Sequence, residues 1–302
     1  MRDVGSNAKN TDAMNTLLKG NWDDKYYNFI DNLEFDDSIL KKDFLSLLKC
    51  KDSKKRETIW TKLKVKLIDI KEVWKLSNPF YIGFGNADSE ILFLGKEKGF
   101  DINVHPELFL KESINNIIHW DYINKIKTPI DHKIILERLD YNPIFPRIFH
   151  KQKISKRHTW GLYSQIIAGK YNFNHDTIFT ETEDFNKSFF KYCFISEINH
   201  IPSKYSQGNK LIEKRRKLLQ QDFYRKFSKV IIGAKGYLKL EEIKELFDIK
   251  DNGTEISLGS NKQREIKIHK FNNKKQTIIY CNQLSGAAGW TNDSIYNLIK
   301  EI

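Results

Sequence analysis

A chain of 302 residues with 40% hydrophobic and 13% aromatic side chains is too apolar to stay disordered and long enough to bury a substantial core. Its formal net charge of +12 favours a polyanionic partner, nucleic acid before an acidic membrane surface. Three scattered cysteines without a CxxC pair exclude a disulfide scaffold or an iron–sulfur cluster, and no run of 18 apolar residues is present to span a membrane. A cytoplasmic protein without signal peptide is the expectation.

Residues 1 to 12 are polar. Apolar positions then fall at helical spacing in three sets: Leu17, Leu18, Trp22, Phe29, Ile30 and Leu33; Ile39, Leu40, Phe44, Leu47 and Leu48; and Ile59, Trp60, Leu63, Leu67, Ile70, Val73 and Trp74. These predict three amphipathic helices, with Trp22, Trp60 and Trp74 in the core, ended by the breaker Asn78-Pro79. Residues 1–77 therefore read as a helical N-terminal segment and 78–302 as the main domain.

Phe80 to Phe84 predicts a short extended segment, followed by a turn over Gly85-Asn86-Ala87-Asp88. Ile91-Leu92-Phe93-Leu94-Gly95 is an apolar run too short for a helix and reads as a strand buried on both faces. Lys96, Glu97 and Lys98 follow, bracketed by Gly95 and Gly99. Helices are expected over 108–123 and 133–139, then a loop over 140–157 in which Arg147, Lys151 and Arg157 alternate with Tyr141, Phe145 and Phe149. Basic and aromatic side chains so mixed suit a nucleic-acid strand, or a solvated loop with its rings tucked inward.

A helix is predicted over 160–171, and a second strand over 189–198 ends in Glu197, Asn199 and His200. One long helix is expected over 209–227 with Lys210, Lys214, Arg215, Arg216 and Lys217 on its polar side. A third strand spans 229–233 and a helix 237–247. A loop opens at Asn252-Gly253, a hairpin joins 267–271 to 277–281, and a last helix begins near Asn292, capped by it or by Thr291. This order predicts an α/β fold, a three-layer α/β/α sandwich on a mostly parallel sheet. Glu97, Glu197, Asn199, His200, Asn282, Gln283 and Ser285 all fall just past strand ends, where open α/β sheets bind ligands.

At these residues the chain resembles the uracil-DNA glycosylase superfamily. The first motif of that family is matched by Ile91-Leu92-Phe93-Leu94-Gly95-Lys96-Glu97, and its middle strand by Phe194-Ile195-Ser196-Glu197-Ile198-Asn199-His200-Ile201-Pro202-Ser203. Val230-Ile231-Ile232-Gly233-Ala234 resembles the third strand and Cys281-Asn282-Gln283-Leu284-Ser285-Gly286 the second motif. The resemblance covers roughly 78 to 302 by order of elements. Two departures stand out: Lys98 replaces a proline, and Asn282 replaces the histidine that would polarise the leaving base.

The resemblance implies DNA repair by base flipping and hydrolysis of an N-glycosidic bond, without metal or cofactor. Glu97 would stabilise the sugar cation or position water, and Asn282 or Gln283 would hold the departing base. Gly95 and Lys96 would border the pocket, and Phe100 would stack on the base. Glu197, Asn199 or His200 would read its edge. Ser285 and the backbone of 286–289 would grip phosphate, with Trp290 as a wedge. Two other readings remain open: a non-catalytic nucleic-acid or modified-base module on the same fold, and an unrelated α/β protein that binds anions through Lys96 and Lys98.

Overall fold

A computed structural model describes residues 16–17, 19–20, 22–50, 52–67, 73–99, 157–173, 189–203, 205, 208, 211–261, 264–273 and 275–302. Phe100, the helices expected at 108–123 and 133–139 and nearly all of the loop 140–157 lie outside the described residues.

The lead-in contains α1 (Trp22–Asp31), α2 (Ser38–Lys49) and α3 (Ser53–Lys66). The two later starts are set by aspartates that accept from the otherwise unpaired first N–H groups: Asp37 from Leu40 N, and Asp52 from Lys54 N and Lys55 N. Trp22, Tyr26, Ile30, Leu40, Phe44, Leu47, Trp60 and Leu63 turn inward as their spacing requires. Trp74 does not. It stands 44% exposed on a short 3-10 turn, Val73–Leu76, because the helical phase that would bury it is broken there.

The sheet contains β1 (Phe84–Gly85), β2 (Ile91–Gly95), β3 (Cys193–Glu197), β4 (Lys229–Ile232), β5 (Thr254–Asn261), β6 (Arg264–Asn272) and β7 (Thr277–Tyr280), in the order β1-β3-β2-β4-β7-β6-β5. The four central strands β3-β2-β4-β7 are parallel; β1 and the β6-β5 pair add antiparallel edges, so the sheet as a whole is mixed. The remaining helices are α4 (Thr159–Lys170), α5 (Glu213–Leu219), α6 (Asp222–Arg225), α7 (Leu240–Phe247) and α8 (Asn292–Lys300). No helix among the described residues is long and apolar enough to cross a membrane.

Strand alternation divides the core. Leu92, Leu94, Phe194, Val230 and Ile232 join one cluster with α1–α3, α5–α7 and their flanks, while Ile91, Phe93, Cys193, Ile195, Ile231 and Ile279 join another with α4 and α8. Each Ile91–Leu94 side chain is fully buried, which is why this strand reads as an unbroken apolar run.

Three expectations need correcting. The long helix over 209–227 is two helices, parted where Gln221 takes extended backbone, and Arg215 is wholly buried rather than solvated. The helix expected from Tyr237 begins at Leu240, leaving Tyr237 in a loop. The loop expected from Asn252 is the edge strand β5. Its residues are mostly exposed, with a register shift between Ser257 and Ser260, and the apolar alternation that marks a strand is confined to Ile256 and Leu258.

Gly85 admits β1 to the sheet. Its φ is +109°, and a Cβ there would lie 2.2 Å from the Cys193 carbonyl oxygen. Gly85→Ala is expected to cost roughly 3 kcal/mol, since strained backbone and a clash with a fixed carbonyl add. The urea midpoint tests this; an unchanged midpoint would show that the edge can relax.

Candidate active site at the carboxyl ends of the parallel strands

From β2 the chain goes to β3 on one side and then returns across it to β4 on the other. Ligand crevices in open α/β sheets form at such a reversal, beyond the carboxyl ends of the strands. The residues at that position here are Lys96 and Glu97 after β2, Asn199 after β3 and the loop Gly233–Leu238 after β4.

Glu97 is held from two sides. Asn199 Nδ2 donates to its Oε2 at 2.8 Å, and the Tyr237 hydroxyl donates to its Oε1 at 2.8 Å. Asn199 Nδ2 also donates to the Gly208 carbonyl at 2.9 Å, so both hydrogens of that amide are committed. The backbone pairing between β2 and β3 continues past the strands through Ile198 N to Gly95 O (2.9 Å), Asn199 N to Lys96 O (2.7 Å) and Ser203 N to Lys98 O (2.9 Å). This fixes Asn199 against Glu97. Tyr237 is placed from the other side by β7: the Tyr280 hydroxyl accepts from Gly236 N at 2.9 Å and donates to Leu238 O at 2.6 Å, tying down the loop. Lys96 lies with its ammonium 4.5 Å from the Tyr237 ring centroid.

Behind this pair lies Glu197. A Cβ on Gly95 would sit 2.2 Å from Glu197 Oε2, so the carboxyl fills space that only glycine leaves open. It lies deep yet keeps some accessible surface, and no hydrogen bond or salt bridge engages it among the described residues. Burial pushes its carboxyl up to about 7; Lys98 and Arg215 work against the rise and Glu97 adds to it. The Lys98 ammonium donates to the Tyr81 hydroxyl at 2.8 Å and sits 4.5 and 4.8 Å from the ring centroids of Tyr81 and Phe84. Burial holds that lysine well below its usual range.

Arg215 ties the strand end down. Its Nε donates to the Glu197 carbonyl at 3.0 Å, Nη2 to Ser196 Oγ at 2.8 Å and to the same carbonyl, and Nη1 to the Tyr81 carbonyl. His200 Nδ1 is buried without a hydrogen-bond partner among the described residues, and burial together with Arg215 depresses the imidazole to about 3, so the ring is neutral at physiological pH.

The other sequence-predicted residues among those described, Asn282, Gln283 and Ser285, follow β7. Asn282 is half-buried past β7, and β4 intervenes between β7 and β2, roughly 10 Å as two strand spacings. No hydrogen bond joins Asn282, Gln283 or Ser285 side chains to Glu97 among the described residues. The Gln283 carbonyl accepts from Trp290 Nε1 at 3.1 Å and from Ser285 N at 2.8 Å, folding this turn on itself, and Trp290 is packed in the core.

The roles of Tyr237, Tyr81 and Arg215 at this strand end did not follow from the sequence. Only Tyr237 carried a signal: it follows β4 in Gly233-Ala234-Lys235-Gly236, a glycine-rich turn past a strand end like that of Gly95. Comparison with protein-family models found no matching family, and comparisons with curated proteins and with solved structures returned no significant match.

The perturbed carboxyl carries a stability consequence. Glu197 binds its proton more tightly folded than unfolded, so its contribution is present below about pH 4.5 and is lost as pH rises through about 7. Glu197→Gln is therefore expected to gain on wild type by roughly 2 to 3 kcal/mol between pH 5 and pH 8. Parallel urea melts at the two pH values measure the difference, and a pH-independent offset would contradict the assignment.

Proposed function

We propose that the protein is a nucleic-acid glycosidase, hydrolysing the N-glycosidic bond of a base flipped out of DNA. The observation that carries this reading is the Glu97 carboxylate, fixed by the Asn199 amide and the Tyr237 hydroxyl past the strand ends where the strand order reverses. The buried clusters on both faces of the sheet support a three-layer α/β/α domain over 78–302, similar to uracil-DNA glycosylases, with α1–α3 as an N-terminal addition. The charge of +12 supports nucleic acid as the partner, and the three free thiols suit a cytoplasmic setting.

Breaking the bond builds positive charge on the sugar and negative charge on the base. Glu97 is suited to the sugar side, because its oxygens are oriented by neutral donors that leave its negative charge uncancelled. It accepts a proton from the attacking water or shields the sugar cation. Glu197, Asn199 and His200 stand at the adjoining strand end for the base, although the committed amide of Asn199 makes its first role that of positioning Glu97.

A second reading, a non-catalytic module for a modified base or nucleotide, is favoured by Asn282, a neutral amide outside the Glu97 cluster. Oligonucleotides carrying uracil, hypoxanthine or an alkylated base, incubated with protein and heated in alkali, separate the two. Strand breaks at the base support hydrolysis. Retained binding with no breaks on any substrate supports the module.

A further inference from the structure

We infer that Glu197 is a second catalytic carboxyl, the proton donor to the departing base, working opposite Glu97. This rests on the glycosidic-hydrolase reading above. The two acids leave neighbouring parallel strands: Gly95 is paired with Glu197, and Glu97 follows two residues later. Their surroundings differ. Glu97 receives hydrogen bonds from Asn199 and Tyr237, whereas Glu197 lies deep against Gly95 with no hydrogen bond or salt bridge among the described residues.

The cation that acts most on Glu197 is Lys98, whose ammonium donates to the Tyr81 hydroxyl and makes no salt bridge with Glu197 among the described residues. Arg215 spends its donors on the carbonyls of Tyr81 and Glu197 and on Ser196. Among the described residues, the groups acting on the Glu197 carboxyl are Lys98 and Arg215, which favour its ionisation, Glu97, which opposes it, and Tyr163, a phenol held neutral by burial. His200, held neutral by burial, brings no charge to the same strand end. The balance leaves a carboxyl that titrates at about 7 and is substantially protonated at neutral pH.

Two carboxyls in surroundings this different divide acid from base. In the step, the bond from C1′ to the base nitrogen breaks and a water oxygen bonds to C1′. Glu97 takes a proton from that water, and Glu197 gives its proton to the base, which leaves neutral. Glu97 ends protonated and Glu197 ionised; exchange with solvent restores both. A proton donor helps most where the base departs poorly as an anion. A purine such as hypoxanthine, with basic ring nitrogens away from the bond, gains more from it than uracil, whose anion is spread over two carbonyls. The site therefore favours purine-type bases.

The test pairs base release with a direct titration. Single-turnover release from hypoxanthine- and uracil-containing oligonucleotides is measured from pH 5 to 9 for wild type and Glu197→Gln, alongside the wild-type Glu197 carboxyl resonance by carbon-13 NMR. Expected are a fall on the order of 100-fold to 10,000-fold for hypoxanthine in the variant, a smaller fall for uracil, and loss of the wild-type decline in rate above about pH 7. Wild-type release with an equally active variant, equal losses on both bases, or a Glu197 resonance titrating near pH 4 overturns the proton donor and leaves the glycosidase reading standing. No release by wild type from any substrate overturns both.

Discussion

Replacing Arg215 by alanine is expected to lower the unfolding free energy by roughly 3 to 5 kcal/mol. The guanidinium is completely buried and serves the Tyr81 carbonyl, the Glu197 carbonyl and Ser196 Oγ, three acceptors from two stretches of chain far apart in sequence. Truncation leaves those acceptors without donors and opens a cavity, and each effect alone costs about 1 to 3 kcal/mol. Relief of a buried charge offsets part of the loss. Arg215→Met restores most of the volume and none of the donors, so it separates the two contributions. If both variants unfold within about 1 kcal/mol of wild type, the strand end is held by packing alone.

The second large effect is on catalysis. Glu97→Gln is expected to reduce base release by on the order of 100-fold to 10,000-fold while unfolding close to wild type. Glutamine keeps the shape, and its carbonyl can still accept from Asn199. Its amide can donate to the Tyr237 oxygen, because a hydroxyl both gives and accepts. The fold is spared and the negative charge is lost. Single-turnover release and a urea melt on one preparation measure both properties. Unimpaired release would remove Glu97 from the reaction, and a large stability loss would recast it as structural.

The parallel block was legible because Ile91–Leu94, Cys193–Ile195 and Val230–Ile232 are short apolar runs ended by glycine or polar residues. Chain order put Glu97 and Asn199 past strand ends, and the pairing of β2 with β3 made those ends neighbours. The same order put Asn282 past a strand end, and nothing in the sequence revealed that β4 would stand between it and Glu97. Strand order depends on which crossover buries more surface, a quantity that no local pattern encodes.

By itself the sequence determined the kinds of element and their inward faces, because hydrophobic period and capping aspartates act over a few residues. The same local rules failed where a distant contact overrode them: Arg215 reads as one more charge on a basic face until Tyr81 and Glu197 surround it, and Tyr237 reads as helix until Tyr280 holds its loop open. Only the tertiary structure decided the protonation of Glu197, since that depends on how much water and charge surround one carboxyl. Those surroundings come from segments more than a hundred residues apart.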